Sequence, residues 1–311
     1  MNDNPFKPYI DQFRLALKVR NLTGKTIGQI CWKLGRFTAW LMENQVLSVD
    51  AITKDAVRSY QVELYQAINA RGRQNGVAYQ NAMMSAVRQF TRFLYERDFI
   101  VSDPARDIRY AKIPKSLPKG ILSPAEARKI LHAPDITSVI GYRDRVILEV
   151  LYTSGIRKEE LNHLTLADVD CHDGFLRIDN GKGQKDRIVP LGRIACRYLE
   201  NYITSVRPEL IRDPYNTHLF LSLRGNRLSK NVVWALVKKY AKKAKIRKNV
   251  HPHTFRHSCA TGMLKNKADL NTIRKLLGHT SLNTTQIYTH LNITELKAVH
   301  KQCHPREKDR E

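Results

Sequence analysis

Over the first 110 positions apolar side chains recur every three or four residues, the rhythm of helices packed through one face. Gln12–Val19 predicts a short first helix. Ile27, Ile30, Leu34, Phe37 and Leu41 mark a second, ending near Asn44. Val57, Tyr60, Leu64 and Ile68 mark a third, and Val77–Phe99 a fourth with Val87, Phe90, Phe93 and Leu94 on one face, after the Asn75-Gly76 break. Four helices and no strand predict an all-α bundle, a pattern shared by DNA clamps and protein-interaction bundles.

The pattern then breaks. Arg109–Gly120 reads RYAKIPKSLPKG, with two prolines and four cations in twelve residues. Prolines lacking an N–H, amid like charges, predict an extended linker over 109–120, between a helical domain at 1–108 and a second domain at 121–311. Ser123-Pro124-Ala125-Glu126 has the form of a capping box with proline at the first helical position. Arg143–Thr153 predicts a helix with Val146, Ile147, Val150 and Leu151 on one face, and Arg157–Leu164 a short one entered from Ser154-Gly155. FLRID at 175–179 and RIVPL at 187–191 read as the strands of a hairpin around NGKGQK, and Leu219–Ser222 as a further short strand. From Val232 the chain reads as helical to its end, with Leu270, Ile273, Leu276 and Leu277 striped before the stop at Gly278. Ile293, Leu296 and Val299 share a face of a last short helix. The fold class is therefore mainly α with a small β-sheet.

Charge narrows the partners. Lys and Arg number 53 against 29 Asp and Glu, a net +24 and a pI near 10. Such an excess points to a polyanion. Residues 1–110 carry only +6 of it and the remainder +18. The densest run, KKYAKKAKIRK, holds Lys238, Lys239, Lys242, Lys243, Lys245, Arg247 and Lys248, candidates for gripping phosphates along with Lys112, Lys115 and Lys119 of the linker. Five scattered cysteines, none in a CxxC, imply free thiols in a reducing cytoplasm. Cys171-His172 has no second pair at zinc spacing, so no metal or other cofactor is expected. The N-terminus lacks the layout of a signal peptide, and the most apolar stretch, VILEVLY, is too short to cross a membrane.

One set of residues carries chemistry. Cleaving a phosphodiester without a metal takes a nucleophile, cations around the non-bridging oxygens and a proton for the leaving 5′ oxygen, all held in line. Arg157 and Arg256 can each fork onto a phosphate. His253, three residues before Arg256, shares its helix face and can donate to the same oxygens or move a proton. Lys182, at the hairpin tip, can protonate the leaving oxygen if its pKa of about 10.4 is pulled down. His279 offers another phosphate donor, and Tyr288, nine residues on, a phenol whose deprotonation neighbouring cations would ease. Glu160, three residues after Arg157, can pair an arginine or histidine and fix its orientation. Taken singly, each is as ordinary as a turn lysine or a core tyrosine; only the combination is specific.

The strings TSGIRKEELNHL, NGKGQKDRIVPLG, HPHTFRHSCATGMLKNKADL, IRKLLGHTSLNTTQIYTHL and HKQCHPRE resemble the tyrosine recombinase, or phage integrase-like, family, and most of all its Xer-type branch and relatives on mobile elements. The resemblance spans nearly all of the chain. It implies an N-terminal helical core-binding (SAM-like) bundle and a mixed α/β catalytic domain that clamp double-stranded DNA. It also implies Tyr288 as nucleophile, Arg157, His253, Arg256 and His279 around the scissile phosphate, Lys182 as general acid and Glu160 in support. Strand exchange would run through a covalent 3′-phosphotyrosyl intermediate and a Holliday junction, in a homotetramer on paired sites or a heterotetramer with a related recombinase, in the cytoplasm at the nucleoid. The last helix would dock on a neighbouring protomer as an exchange helix. Lys158 and Glu159 stand where relatives often carry a small or apolar pair, and Ile156 where leucine is common. A topoisomerase-like relaxing enzyme needs the same residues without a partner site, and a DNA-binding architectural protein would share the fold without turnover.

Overall fold

The computed structural model describes residues 4–69, 72–113, 120–179, 186–278 and 290–309. They fall into two compact units, Met1–Ser116 and Leu117–Glu311.

The first unit is built on α1 (Lys7–Val19), α2 (Gly24–Glu43), α3 (Lys54–Gln66) and α4 (Val77–Glu96). Thr23 and Thr53 cap α2 and α3 through their hydroxyls, accepting from the N–H groups of Thr26 and Ala56. Leu17, Leu34, Phe37, Leu41, Val57, Val87, Phe90 and Leu94 are fully buried, so each helix turns its apolar stripe inward. Phe13 meets the Phe90 and Phe93 rings at centroid distances of 5.7 and 5.1 Å. α1 begins five residues before the expected Gln12, because Phe6 and Ile10 are buried as well and Pro8 is tolerated in the first turn.

Part of the expected linker is bound to this unit. The Asn81 side chain donates to the Ala111 carbonyl and accepts from its N–H, at 2.8 and 3.0 Å. Gln61 donates to the Arg109 carbonyl, and Lys54 pairs with Asp107 at 2.8 Å.

The second unit forms around α6 (Val139–Ser154), in which every residue from Arg143 to Ser154 is buried. The single apolar face expected there is too narrow, since four buried charges are neutralised within the core. Arg143 pairs with Asp144 at 2.7 Å, Tyr240 donates to Asp144, and Arg145 pairs with Glu149 at 2.8 Å. Around α6 lie α5 (Pro124–Leu131), with the expected capping box, α7 (Lys158–His163), α8 (Arg193–Asn201) continuing through a π turn into α9 (Arg207–Leu210), α10 (Lys230–Lys243) and α11 (Pro252–Lys265). α12 (Leu270–Leu277) and α13 (His290–Cys303) complete the helices.

The sheet is antiparallel, in the order β1 (Val169–Asp170), β2 (Phe175–Ile178), β3 (Arg187–Pro190). Leu176 pairs with Val189, and both point into the core. β1 is too short for its pattern to show in the sequence. Leu219–Ser222 is not a strand: Leu221 makes one isolated bridge with Arg227, and the neighbouring His218 one with Thr165. Buried Leu219, Phe220 and Leu221 show that its apolar run belongs to a core loop.

Candidate functional site

Four segments of the second unit meet at one polar cluster. The first is the turn after α6. Gly155 takes a left-handed conformation, φ 61°, and a Cβ there would come within 3.0 Å of Leu277. Its carbonyl accepts from Arg256 Nη1 at 2.8 Å. Two residues on, Arg157 caps α7, where its N–H donates to Glu160 Oε2 at 2.7 Å and its Nη1 to Glu160 Oε1 at 2.7 Å.

The second segment is the end of α12. Its last carbonyls have no helical partner, and two arginines take that place. Arg256 Nη2 donates to the Leu277 carbonyl and Arg157 Nη2 to the Gly278 carbonyl, the latter at 3.2 Å. Gly278 is itself left-handed, φ 64°.

The third segment is α11, entered at His251 and Pro252, with the Thr254 hydroxyl accepting the His251 N–H at 3.1 Å. His253 lies in the first turn, where the unpaired N–H groups and positive end of a helix favour an anion. Its ring is open to solvent, whereas Arg256, one turn deeper, is buried. The fourth is the hairpin base. Arg187, first in β3 and buried, forks onto Glu160 with Nη2–Oε2 at 2.8 Å and Nη1–Oε1 at 3.0 Å.

Two guanidinium groups thus hold one carboxylate, and a third, that of Arg256, lies near enough to feel its charge. Burial acts to raise the Glu160 carboxyl, but hydrogen bonds and charge from Arg187 and Arg157 outweigh it and hold it below the usual range. Burial, reinforced by the nearby Arg157, lowers the Arg256 guanidinium to about 10, so it stays charged at neutral pH. His253 is lowered by partial desolvation and by Lys158, Arg256 and His257, with Glu159 opposing. Local positive charge exceeds negative, and an added anion would relieve it.

Arg157, Glu160, Arg256 and His253 therefore come together from sequence positions a hundred residues apart. Lys182, His279 and Tyr288 lie outside the described residues, as do Lys115 and Lys119. Sequence reasoning missed Arg187. Its signal was strand alternation: Arg187 and Val189 share a face, and Val189 points to the core, so an arginine is aimed inward and needs a buried partner.

The cationic run is on and after α10, a helix that touches both α7 and α11. Lys238, Lys239, Lys242, Lys243, Lys245, Arg247 and Lys248 are all exposed. Lys238 Nζ sits 4.0 Å above the Trp234 ring and close enough to His251 to help lower its pKa. Lys248 is engaged elsewhere, pairing with Glu126 at 2.6 Å and donating to the Ile121 carbonyl at 2.8 Å. Lys112 is exposed in the first unit. Among the described residues Asp170, His172 and Asp173 bring possible metal-ligand atoms within 4.8 Å of one another, at the turn between β1 and β2. No helix among the described residues is long and apolar enough to cross a membrane.

α13 packs against β3, α11 and α12 of its own unit, with Leu296 buried there. The chain beyond it is anchored by charge. Arg306 Nη2 lies 2.6 Å from Glu149 on α6, and Arg306 Nη1 2.8 Å from Asp309. The His300 and His304 rings stack at 4.7 Å and bond the carbonyls of Thr153 and Tyr152.

Proteins of known family resemble this chain along most of its length. Residues 121–295 match the phage integrase family. The tyrosine recombinase XerD of Staphylococcus epidermidis RP62A is 36% identical over 290 residues, covering 92% of this chain and 95% of the relative. That of Staphylococcus aureus Mu50 is 34% identical with the same coverage. Among solved structures, the XerH site-specific recombinase in a pre-cleavage complex with its difH substrate aligns with 93% of this chain and 80% of that one, at TM-score 0.67 and 19% identity. A lambda integrase dimer on a COC′ core site aligns with 91% and 99%, at TM-score 0.66 and 17% identity; these last two show the shared fold. By sequence match across both units, the chain belongs to the phage integrase family and is a site-specific tyrosine recombinase.

Proposed function

We propose that this recombinase cuts and rejoins duplex DNA through a covalent 3′-phosphotyrosyl intermediate on Tyr288, with neither metal nor ATP. The observation carrying this reading is the arrangement of Arg157 and Arg256: both are oriented by main-chain carbonyls, and with Arg187 they outnumber the single carboxylate of Glu160. Such a cluster suits the non-bridging oxygens of one phosphate, whose negative charge grows in the transition state. The phenol oxygen of Tyr288 attacks phosphorus as the bond to the 5′ oxygen breaks. Lys182 gives that oxygen its proton. His253, its pKa drawn down, is neutral near pH 7 and able to take the phenol proton. His279, directly after Gly278, adds a donor to the phosphate. The phosphotyrosyl bond keeps the energy of the cut strand, so attack by a 5′ hydroxyl of a partner strand reseals it.

Strand exchange between two sites requires four protomers and a Holliday junction. A tetramer bound to such a junction is the state of a lambda integrase that shares this fold at TM-score 0.68 and 18% identity. We assign a homotetramer on paired sites or a heterotetramer with a related recombinase, acting on cytoplasmic, nucleoid DNA, with residues 1–108 as core-binding domain, 109–120 as basic linker and 121–311 as catalytic domain ending in an exchange helix. Lys112, Lys115, Lys119, Lys238, Lys239, Lys242, Lys243, Lys245 and Arg247 would meet the backbone of the duplex; Lys248 would do so only by leaving Glu126.

The test is adduct capture. Wild type and Tyr288→Phe are incubated with fragmented DNA from the source cell in EDTA without ATP, then denatured, and attached DNA is sequenced. Wild type should retain fragments with a shared end, and Tyr288→Phe none while still binding DNA. Adducts on Tyr288→Phe would remove the assignment.

A further inference from the structure

We propose that Arg187 is a positioning residue for strand cleavage, acting through Glu160 to hold Arg157 in the orientation that receives the scissile phosphate; this rests on the function proposed above. Arg187 reaches two parts of the site, Glu160 and Gly278, and is joined to Arg157 through the first. It forks onto both oxygens of Glu160, at 2.8 and 3.0 Å. Those same oxygens accept the Arg157 N–H and Nη1, each at 2.7 Å. Its Cδ, Nε and Cζ lie 3.0–3.1 Å from where a Gly278 Cβ would stand, under the carbonyl that accepts from Arg157 Nη2.

The chemistry follows from the geometry. Glu160 alone has two oxygens and rotational freedom about its last torsion. With Arg187 forked onto it from the sheet side, the carboxylate plane is fixed, and so is the face it offers Arg157. Arg157 is the more exposed of the two, with 32% of its side chain accessible against 3% for Arg187. The exposed arginine is the one free to meet DNA, and the buried one is shielded from it. Arg187 also begins β3, five residues after Lys182 in the sequence. The Glu160 pair therefore ties the hairpin base to the phosphate arginine. A purely structural salt bridge would stabilise the fold without caring how the guanidinium of Arg157 is turned.

The test compares full-length wild type, Arg187→Lys, Arg187→Gln, Glu160→Gln and the Arg187→Gln/Glu160→Gln double variant on the site recovered by adduct capture. Single-turnover cleavage at saturating protein is measured beside DNA affinity and thermal unfolding. The expected result is cleavage slowed about 10- to 100-fold in Arg187→Gln, with DNA affinity nearly unchanged. Arg187→Lys should recover only part of the rate, because an ammonium keeps the charge but not the fork. The double variant should be no slower than the slower single, since both act through one group. If Arg187→Gln fails to fold, Arg187→Lys decides: a folded lysine variant cleaving at the wild-type rate overturns the inference. So does a Gln variant that cleaves normally, or multiplicative losses in the double. Wild type forming no adduct, alone or with a related recombinase of the source cell added, would overturn the recombination chemistry itself, an outcome read without any Arg187 variant.

Discussion

At the scale of single residues the site is governed by what surrounds each charge. His253 is partly desolvated and has Lys158, Arg256 and His257 nearby, so its proton affinity is lowered in spite of Glu159. An imidazole lowered from about 6.5 is neutral above that pH and becomes protonated only below it. Cleavage should therefore be sustained through neutral pH and fall on the acid side, below the usual imidazole range, as His253 becomes protonated and no longer accepts a proton. His253→Gln should flatten this acid limb at a lower overall rate; a pH–rate profile of single-turnover cleavage checks both. Gly278 is constrained twice, by its positive φ and by Arg187, whose side chain lies 3.0 Å from where a Cβ would stand. Gly278→Ala should cost about 1–3 kcal/mol in denaturant unfolding. It should also slow cleavage, because the carbonyl orienting Arg157 moves with it. These constraints explain what could be read in advance. Arg157, Glu160, His253 and Arg256 were legible because their types and spacing match a task. Arg187 was not, since its partner lies 27 positions away and only folding makes them neighbours.

At the scale of elements, periodicity located most helices, because a stripe of apolar positions has to be buried on one side. It failed where burial is not one-sided. α6 is enclosed all round and carries its charges inside, and Leu219–Leu221 are buried without pairing into a strand. The end of the chain shows the same limit. Arg306 is 1% exposed and reaches Glu149 in the middle of α6, which Arg145 also pairs. No local pattern announces a contact between positions 157 apart. Arg306→Ala should lower stability by about 3 kcal/mol, the lower end for breaking a buried pair, because Arg145 still neutralises Glu149. Urea unfolding of the full chain measures it. The packing of α13 on its own unit and the proposed exchange with a neighbour use one helix in two settings, and the Arg306 anchor fixes the chain beyond it.

For the whole molecule, the governing quantity is the net charge of +24. Each cation that displaces a counterion from duplex DNA adds about 0.9 to the slope of log affinity against log salt. Replacing Lys238, Lys242 and Lys245 together by Ala should reduce that slope by about 2–3 while leaving the fold intact. Lys248→Ala should barely change it, and should instead loosen the contact with Glu126 at the start of α5. Titrations on duplex DNA from 50 to 300 mM salt, roughly the range over which counterion release is legible, distinguish the two. Composition foretold a polyanionic partner but not which lysines are already occupied, since that depends on neighbours brought in by folding.

Arg256 is aimed by oxygens of the peptide chain at Gly155 and Leu277, and Arg157 by that of Gly278 together with the Glu160 carboxylate. A carbonyl is offered by every amino acid, so no particular side chain is needed to supply it. Variation can then run freely through many nearby positions without disturbing the aim of Arg256, while Arg157 depends on Glu160 as well. What it cannot alter is the path of the chain through the two tight bends. The heritable record of this site is thus written partly in shape, as places where only the smallest residue will fit, and a comparison that scores side-chain chemistry alone would undervalue them.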